Sequence, residues 1–144
     1  VKLLLDHSER IELNARDNFG MTAFMIACRS GDKDVVQWLL DHSDRNIELN
    51  ARSNSGSTAF LLACYYGHKD VVKLFLDHSE RIELNASSNS GMTAFMLACQ
   101  NRHKDVVQLL LKYPEVIDIN IPESFQLPEE IKIFINLRNA LNES

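Results

Sequence analysis

The three cysteines of the chain, Cys28, Cys64 and Cys99, stand 36 and 35 residues apart. The histidines keep the same beat: His7, His42 and His78 form one series, His68 and His103 another. Thiols and imidazoles hold soft metals, exchange disulfides, or serve as nucleophile and base. The pattern argues against each of these. An odd, evenly spaced set of cysteines is not a disulfide framework. Equivalent points on neighbouring stacked helices lie about 10 Å apart, whereas a disulfide needs Cα atoms within about 7 Å. Histidines in a His-x-x-x-His metal spacing are absent. Ser, His and acid neighbours do recur, as in His78-Ser79-Glu80, but without a strained turn or an oxyanion site. There is no Gly-rich phosphate loop and no Gly-x-Ser-x-Gly elbow. The expectation is a non-enzymatic protein with no catalytic, metal-binding or cofactor-binding residue, its cysteines small core residues of a reducing compartment.

The elements that space these residues repeat with them. Thr22-Ala23-Phe24, Thr58-Ala59-Phe60 and Thr93-Ala94-Phe95 mark one point of a unit; Val35-Val36, Val71-Val72 and Val106-Val107 mark another. Both markers advance by 36 and then 35 residues. A period of this length means stacked supersecondary units rather than one closed globule. In the middle unit Asn54-Ser55-Gly56 is a turn signal, with Gly56 free to take positive φ. Thr58 fits a helix N-cap, and Phe60, Ala63 and Cys64 recur at helical spacing up to Gly67. A second helix opens at His68-Lys69-Asp70, its Asp70 favoured by the helix dipole. Val71, Val72, Leu74, Phe75 and Leu76 make that helix apolar around most of its circumference, so units on both sides must cover it. After Asp77-His78-Ser79, the segment Ile82-Glu83-Leu84-Asn85 alternates as a short extended return.

These residues resemble the ankyrin repeat, whose pattern runs through Gly-x-Thr-Pro-Leu-His, Gly-His, Val-Val-x-Leu-Leu-Leu and an Asn-Ala return. The corresponding stretches here are Gly20–Met25, Gly31-Asp32, Val35–Leu40 and Asn50-Ala51; then Gly56–Leu61, Gly67-His68 and Val71–Leu76; then Gly91–Met96, Arg102-His103 and Val106–Leu111. The resemblance implies an all-α solenoid of stacked helix-turn-helix units joined by hairpin-like loops. Residues 1–13 would form a partial repeat, 14–49, 50–84 and 85–120 full repeats, and 121–144 a capping helical segment. Several positions depart from the family. Ala23, Ala59 and Ala94 replace its Pro, and Met25, Leu61 and Met96 replace its His with apolar packing. Ser8, Ser43 and Ser79 replace the Gly after the second helix, so the helix is expected to run on or the loop to bulge instead of ending in a left-handed cap. Asp17 keeps the acceptor at the hairpin base, whereas Ser53 and Ser88 are weaker ones. Leu5–Leu40 and Leu76–Leu111 agree at 27 of 36 positions, as expected of recent duplication or partial consensus engineering, with the irregular ends favouring a natural chain.

The ends differ from the middle. Val1–His7 matches only the second helix of a unit, and the chain has no initiating Met, which suggests a piece of a longer protein with an apolar face open at that end. In the C-terminal segment Pro128 precedes Glu129-Glu130, a helix start. Leu127, Ile131, Phe134, Ile135 and Leu141 are expected to share its inward face, with Lys132, Arg138 and Glu143 outward. This is a cap on the last repeat, or, since Ile133 and Leu137 widen the stripe, a docking helix.

In ankyrin-like stacks the hairpin tips and first helices form a concave face. There, positions that differ between otherwise similar units are the candidates for recognition, because a close-packed core tolerates little variation. They are Arg16 and Phe19 on the first tip, Arg29 on the first inner helix, Arg52 on the second tip, Leu62, Tyr65 and Tyr66 on the second inner helix, and Gln100 and Asn101 on the third. Aromatics with a polar handle suit hot spots. Trp38, on a second helix, reads as core or convex surface.

With 15 basic and 20 acidic residues the net charge is −5, and the cations are scattered, which argues against a nucleic-acid partner. No apolar run approaches the ~18 residues needed for a membrane span. The expected function is therefore a protein-interaction module, monomeric and intracellular (cytoplasmic or nuclear), with pairing of chains possible at the open N-terminal face. Alternatively the stack is a spacer or regulatory arm of a larger enzyme or transport protein. A third reading follows from the resemblance: Asn14, Asn50 and Asn85 occupy the return position where ankyrin asparagines are hydroxylated, although extra loop residues disturb that spacing.

Overall fold

The structure, a computed structural model, describes residues 13–43 and 46–143. The half-unit Val1–His7, its expected open face, and Ser8 lie outside these residues. Three helix pairs follow one another: α1 (Ala23–Ser30) with α2 (Lys33–Asp41), α3 (Ala59–Tyr65) with α4 (Lys69–Asp77), and α5 (Ala94–Gln100) with α6 (Lys104–Leu111). A longer α7 (Glu129–Glu143) closes the series. The described residues contain no β-strand, so the fold is all-α.

Each first helix starts because a threonine caps it. Thr22, Thr58 and Thr93 have extended backbone, and their Oγ1 atoms accept from the amides of Met25, Leu61 and Met96 at 3.3, 3.2 and 3.3 Å. Such a cap satisfies one of the donors every helix leaves unpaired and contributes about 1 kcal/mol. The tip before it is closed by the residue at its base. Asp17 Oδ1 accepts from the amides of Phe19 and Met21, both at 2.9 Å. Ser53 and Ser88 each take one longer bond of 3.3 Å, from Ser57 and Met92.

The second helices neither run on nor end in a left-handed residue. His42 and His78 follow them with φ of −110° and −117°. Each imidazole turns back so that Nδ1 lies 2.8 Å from the carbonyl of Trp38 or Leu74. A carbonyl can only accept, so Nδ1 carries the proton. The histidine thus satisfies an end carbonyl that glycine caps elsewhere leave to the backbone. Trp38 stacks on His42 with ring centroids 3.9 Å apart. After His78 the chain makes a 3-10 turn, Ser79–Arg81, which absorbs the extra loop residues.

Neither helix of a pair could bury its apolar face alone. Stacked, the first helices α1, α3 and α5 pack in succession, as do the second helices α2, α4 and α6. One continuous core results, from Leu13 to Ile131. Met25, Leu61 and Met96, at the family's histidine position, are buried in it. Each buried Leu, Met or Phe contributes about 1.5–3 kcal/mol, so this core outweighs any single polar contact.

Polar ties run along the stack outside the core. His68 Nε2 donates to the Arg29 carbonyl and His103 Nε2 to the Tyr65 carbonyl, both 2.8 Å. Asn14, Asn50 and Asn85 each donate to a carbonyl in the next return (Asn46, Arg81, Val116) and accept from its amides (Glu48, Glu83, Asp118). With both ends of the amide engaged, the side chains are structural links.

α7 seals the third pair through Ile131, fully buried, with Leu127, Phe134 and Ile135 half-buried against the core. Leu141, expected on this inward face, is 75% exposed. Ile133 and Leu137 are exposed as well, while Arg138, expected outward, is half-buried. The helix leaves the core beyond its middle, so a face drawn by helical period alone extends further than the surface it packs on. At its start Glu130 bridges to Arg102 (2.6 Å) and Lys104 (3.6 Å).

Candidate functional site

Two adjoining grooves lie between the tips and the first helices. The larger, about 570 Å3, has Leu61, Leu62, Met92 and Leu97 among its apolar residues, and serines of the second and third tips with Tyr65, Tyr66 and Gln100 around them. The smaller, about 220 Å3, lies between the first and second units and is lined by Phe19, Met21, Arg29, Leu62 and Tyr66 with tip residues 53–55. Leu62, Tyr66 and Ser55 belong to both, so the grooves form one track across three units.

Of the nine residues expected to bind a partner, six line this track: Phe19, Arg29, Leu62, Tyr65, Tyr66 and Gln100. Phe19 is 72% exposed, Tyr65 42% and Tyr66 46%. The remaining three do not line it but bond to backbone carbonyls beside it. Arg16 donates to the carbonyls of Gly20 and Arg52, and its other nitrogen lies 3.8 Å from Glu48. Arg52 repeats the arrangement one unit on, donating to Gly56 (3.0 Å) and Ser87 (2.6 Å). These guanidiniums rivet each tip to the next. Asn101 Nδ2 donates to the Tyr65 carbonyl at 3.0 Å.

The tips are held by a second ladder as well. Asn54 Nδ2 donates to the Asn18 carbonyl and Asn89 Nδ2 to the Asn54 carbonyl, both 3.1 Å. The tyrosines sit on an equally fixed backbone. Tyr65 meets Tyr66 edge-on with centroids 4.8 Å apart, and Tyr66 lies near-parallel to His68 at 6.4 Å. Rings held before a partner arrives lose little freedom on binding.

Sequence reasoning missed Met21, Ser57 and Met92 as lining residues. Their signal was the hairpin exit, where Met, Ser and Met alternate between otherwise similar units.

The cysteines, each next in the chain to Arg29, Tyr65 or Gln100, are turned into the core instead. All three are free thiols with no exposed area. Burial pushes Cys28 and Cys64 well above the ordinary thiol range and Cys99 up to about 12. The thiolate is the reactive form, so a thiol reagent at pH 8 should label none of them until denaturant is added, as mass spectrometry would read. Rapid labelling of the native protein would contradict this burial. Among the described residues no group of three or more His, Cys, Asp and Glu is placed to share a metal ion, and no helix is long and apolar enough to cross a membrane.

Stacked helix pairs, projecting tips and a grooved inner face define a helical-repeat solenoid. A family model of ankyrin repeats in three copies matches residues 44–123, and a second, of ankyrin repeats in many copies, matches residues 4–63. The chain belongs to the ankyrin repeat family. No curated protein gives a significant match to this sequence. Ankyrin repeats generally serve as non-enzymatic protein-interaction modules.

Proposed function

We propose that the stack binds a protein partner along the track between its tips and first helices. Tyr65 and Tyr66 are the anchors, with Phe19, Arg29, Leu62 and Gln100 beside them, and Arg16, Arg52 and Asn101 hold the surface in shape. The observation that carries this reading is the position of Tyr66 and Leu62. They line both grooves, so a ligand crossing from one unit to the next passes over an exposed aromatic on a fixed backbone. Tyr is among the residues that dominate interface energetics.

The test starts with a pull-down that uses this chain as bait, followed by titration calorimetry on the recovered partner. Tyr65→Ala/Tyr66→Ala should weaken binding by roughly thirtyfold or more, as expected of hot-spot anchors. The melting temperature should change little, because both rings are nearly half exposed. Unchanged affinity would remove the tyrosines from the interface.

A further inference from the structure

The chemistry of the occupant can be narrowed further, taking the concave-face reading as given. Among the described residues that line the two grooves, Arg29 alone carries a formal charge. The chain holds 20 acidic residues against 15 basic ones, yet among the described residues no Asp or Glu lines either groove; the Asp17 carboxylate, at the base of the first tip, is turned to the amides of Phe19 and Met21. Among the described residues the Arg29 guanidinium has neither an ion-pair nor a hydrogen-bond partner; only its backbone carbonyl is engaged, by His68. Arg16, Arg52, Arg81 and Arg102, in contrast, all have partners.

A cation in the last turn of a helix is favoured by the dipole, which gives Arg29 a local reason to exist. That reason is insufficient. Tyr65 and Gln100 stand at the same point of the next two units, where the next histidine or the chain order places them equivalently, and neither is charged. The row therefore reads cation, aromatic, amide along the stack, and the aromatic faces the larger groove.

We infer that the track takes an extended peptide segment with one carboxylate on Arg29 and an apolar side chain in the groove beside Tyr65 and Tyr66. Stacked helices are separated by about 8–10 Å, and an extended chain advances about 3.3 Å per residue. One unit of the stack thus corresponds to about three peptide residues, and the carboxylate and the apolar anchor stand about three positions apart. The rest of the segment is uncharged, as is the larger groove. A second acidic residue next to the anchor would find no cation there.

Fluorescence anisotropy with labelled ten-residue peptides tests this. Each peptide carries one Glu and one Phe in an otherwise Gly/Ser/Ala background, at separations of one to six residues and in both orders. Binding should be tightest at a separation of about three and fall roughly ten- to hundredfold when Glu becomes Gln, the range of a charge-assisted hydrogen bond. Arg29→Glu should lose the Glu peptide and prefer its Lys counterpart, with a melting temperature lowered by only a few degrees, the cost of an anion in the last turn of α1. If no peptide binds, or if affinity ignores the Glu and its distance from the Phe, the assignment is overturned. Peptides that bind without regard to Glu but are lost in Tyr65→Ala/Tyr66→Ala would leave the concave face in place and remove only the charge rule. Binding that survives the double tyrosine change would remove both.

Discussion

Phe75→Ala should destabilise the protein by about 3–5 kcal/mol, a large part of what holds a domain of this size together. Phe75 lies on the second helix of the middle unit and is fully buried. Its ring meets Phe60, from the first helix of its own unit, edge-on at 5.5 Å, and Phe24, from the first helix of the preceding unit, edge-on at 5.6 Å. One side chain therefore holds together a unit and the interface between units. Its removal loses the transfer free energy of the ring, leaves a cavity that close-packed neighbours cannot fill, and deletes two aromatic contacts of about 0.5–1.5 kcal/mol each. In a repeat stack an interface contributes separately from the units it joins, so the middle of the stack is the worst place for such a loss. Thermal unfolding followed by circular dichroism should show a fall of roughly 10–20 °C. Phe75→Leu keeps most of the volume and should lose about 1–2 kcal/mol. Phe19→Ala, at an exposed tip, should change stability by no more than about 0.5 kcal/mol. A Phe75→Ala melt within a few degrees of the parent would show that the aromatic cluster does not carry the interface.

The burial of Phe24, Phe60 and Phe75, the threonine caps and the pairing of helices could all be read along the chain, because they depend on local spacing and on a period that repeats three times. The ties between units were much less legible. His68 and the carbonyl it grips are 39 residues apart, and Arg52 reaches 35 residues to Ser87. No local pattern announces a bond of that span. Arg16 and Arg52 looked like recognition residues for a sound reason: exposed arginines on hairpin tips usually meet partners. In the structure they tie the neighbouring tip as well. The histidines after the second helices illustrate a different limit. The glycine cap was visibly missing, but its replacement by an imidazole that turns back one helical turn follows from side-chain geometry that spacing alone does not express. Within the site, residues that vary between units led to the track, while its limits were set by Met21, Ser57 and Met92, which only the folded hairpins bring alongside the first helices.

The second large effect is expected at Gly67. Its backbone is left-handed, with φ of 75°, and the His103 ring of the next unit lies against it. A Cβ at Gly67 would sit 2.5 Å from His103 Nδ1 and 2.7 Å from two of its carbons. Gly67→Ala therefore meets two penalties. The left-handed backbone costs an ordinary residue about 1–2 kcal/mol, and the clash must push the imidazole off the Tyr65 carbonyl, losing a hydrogen bond of about 0.5–1.5 kcal/mol and the packing around it. The sum is about 2–4 kcal/mol. Gly91→Ala separates the two penalties, because Gly91 has a φ of 81° but nothing within 4 Å of its would-be Cβ; it should cost about 1–2 kcal/mol. The third unit already illustrates the logic. Arg102 occupies the place of Gly67 with φ of 61°, and its side chain pairs with Glu130 of α7. Where α7 follows instead of another histidine, a side chain is tolerated there. A double-mutant cycle in urea makes the claim measurable. His103→Ala leaves the Tyr65 carbonyl satisfied by Asn101 and should be mild, and in its background Gly67→Ala should fall to the cost of Gly91→Ala. Strict additivity of Gly67→Ala and His103→Ala would mean that the ring is not what excludes a side chain from this position. The same pair bears on recognition, because the carbonyl that His103 grips belongs to Tyr65. Loosening it should raise the off-rate of a bound partner, which ties the stability of the stack to the fixed placement of its tyrosines.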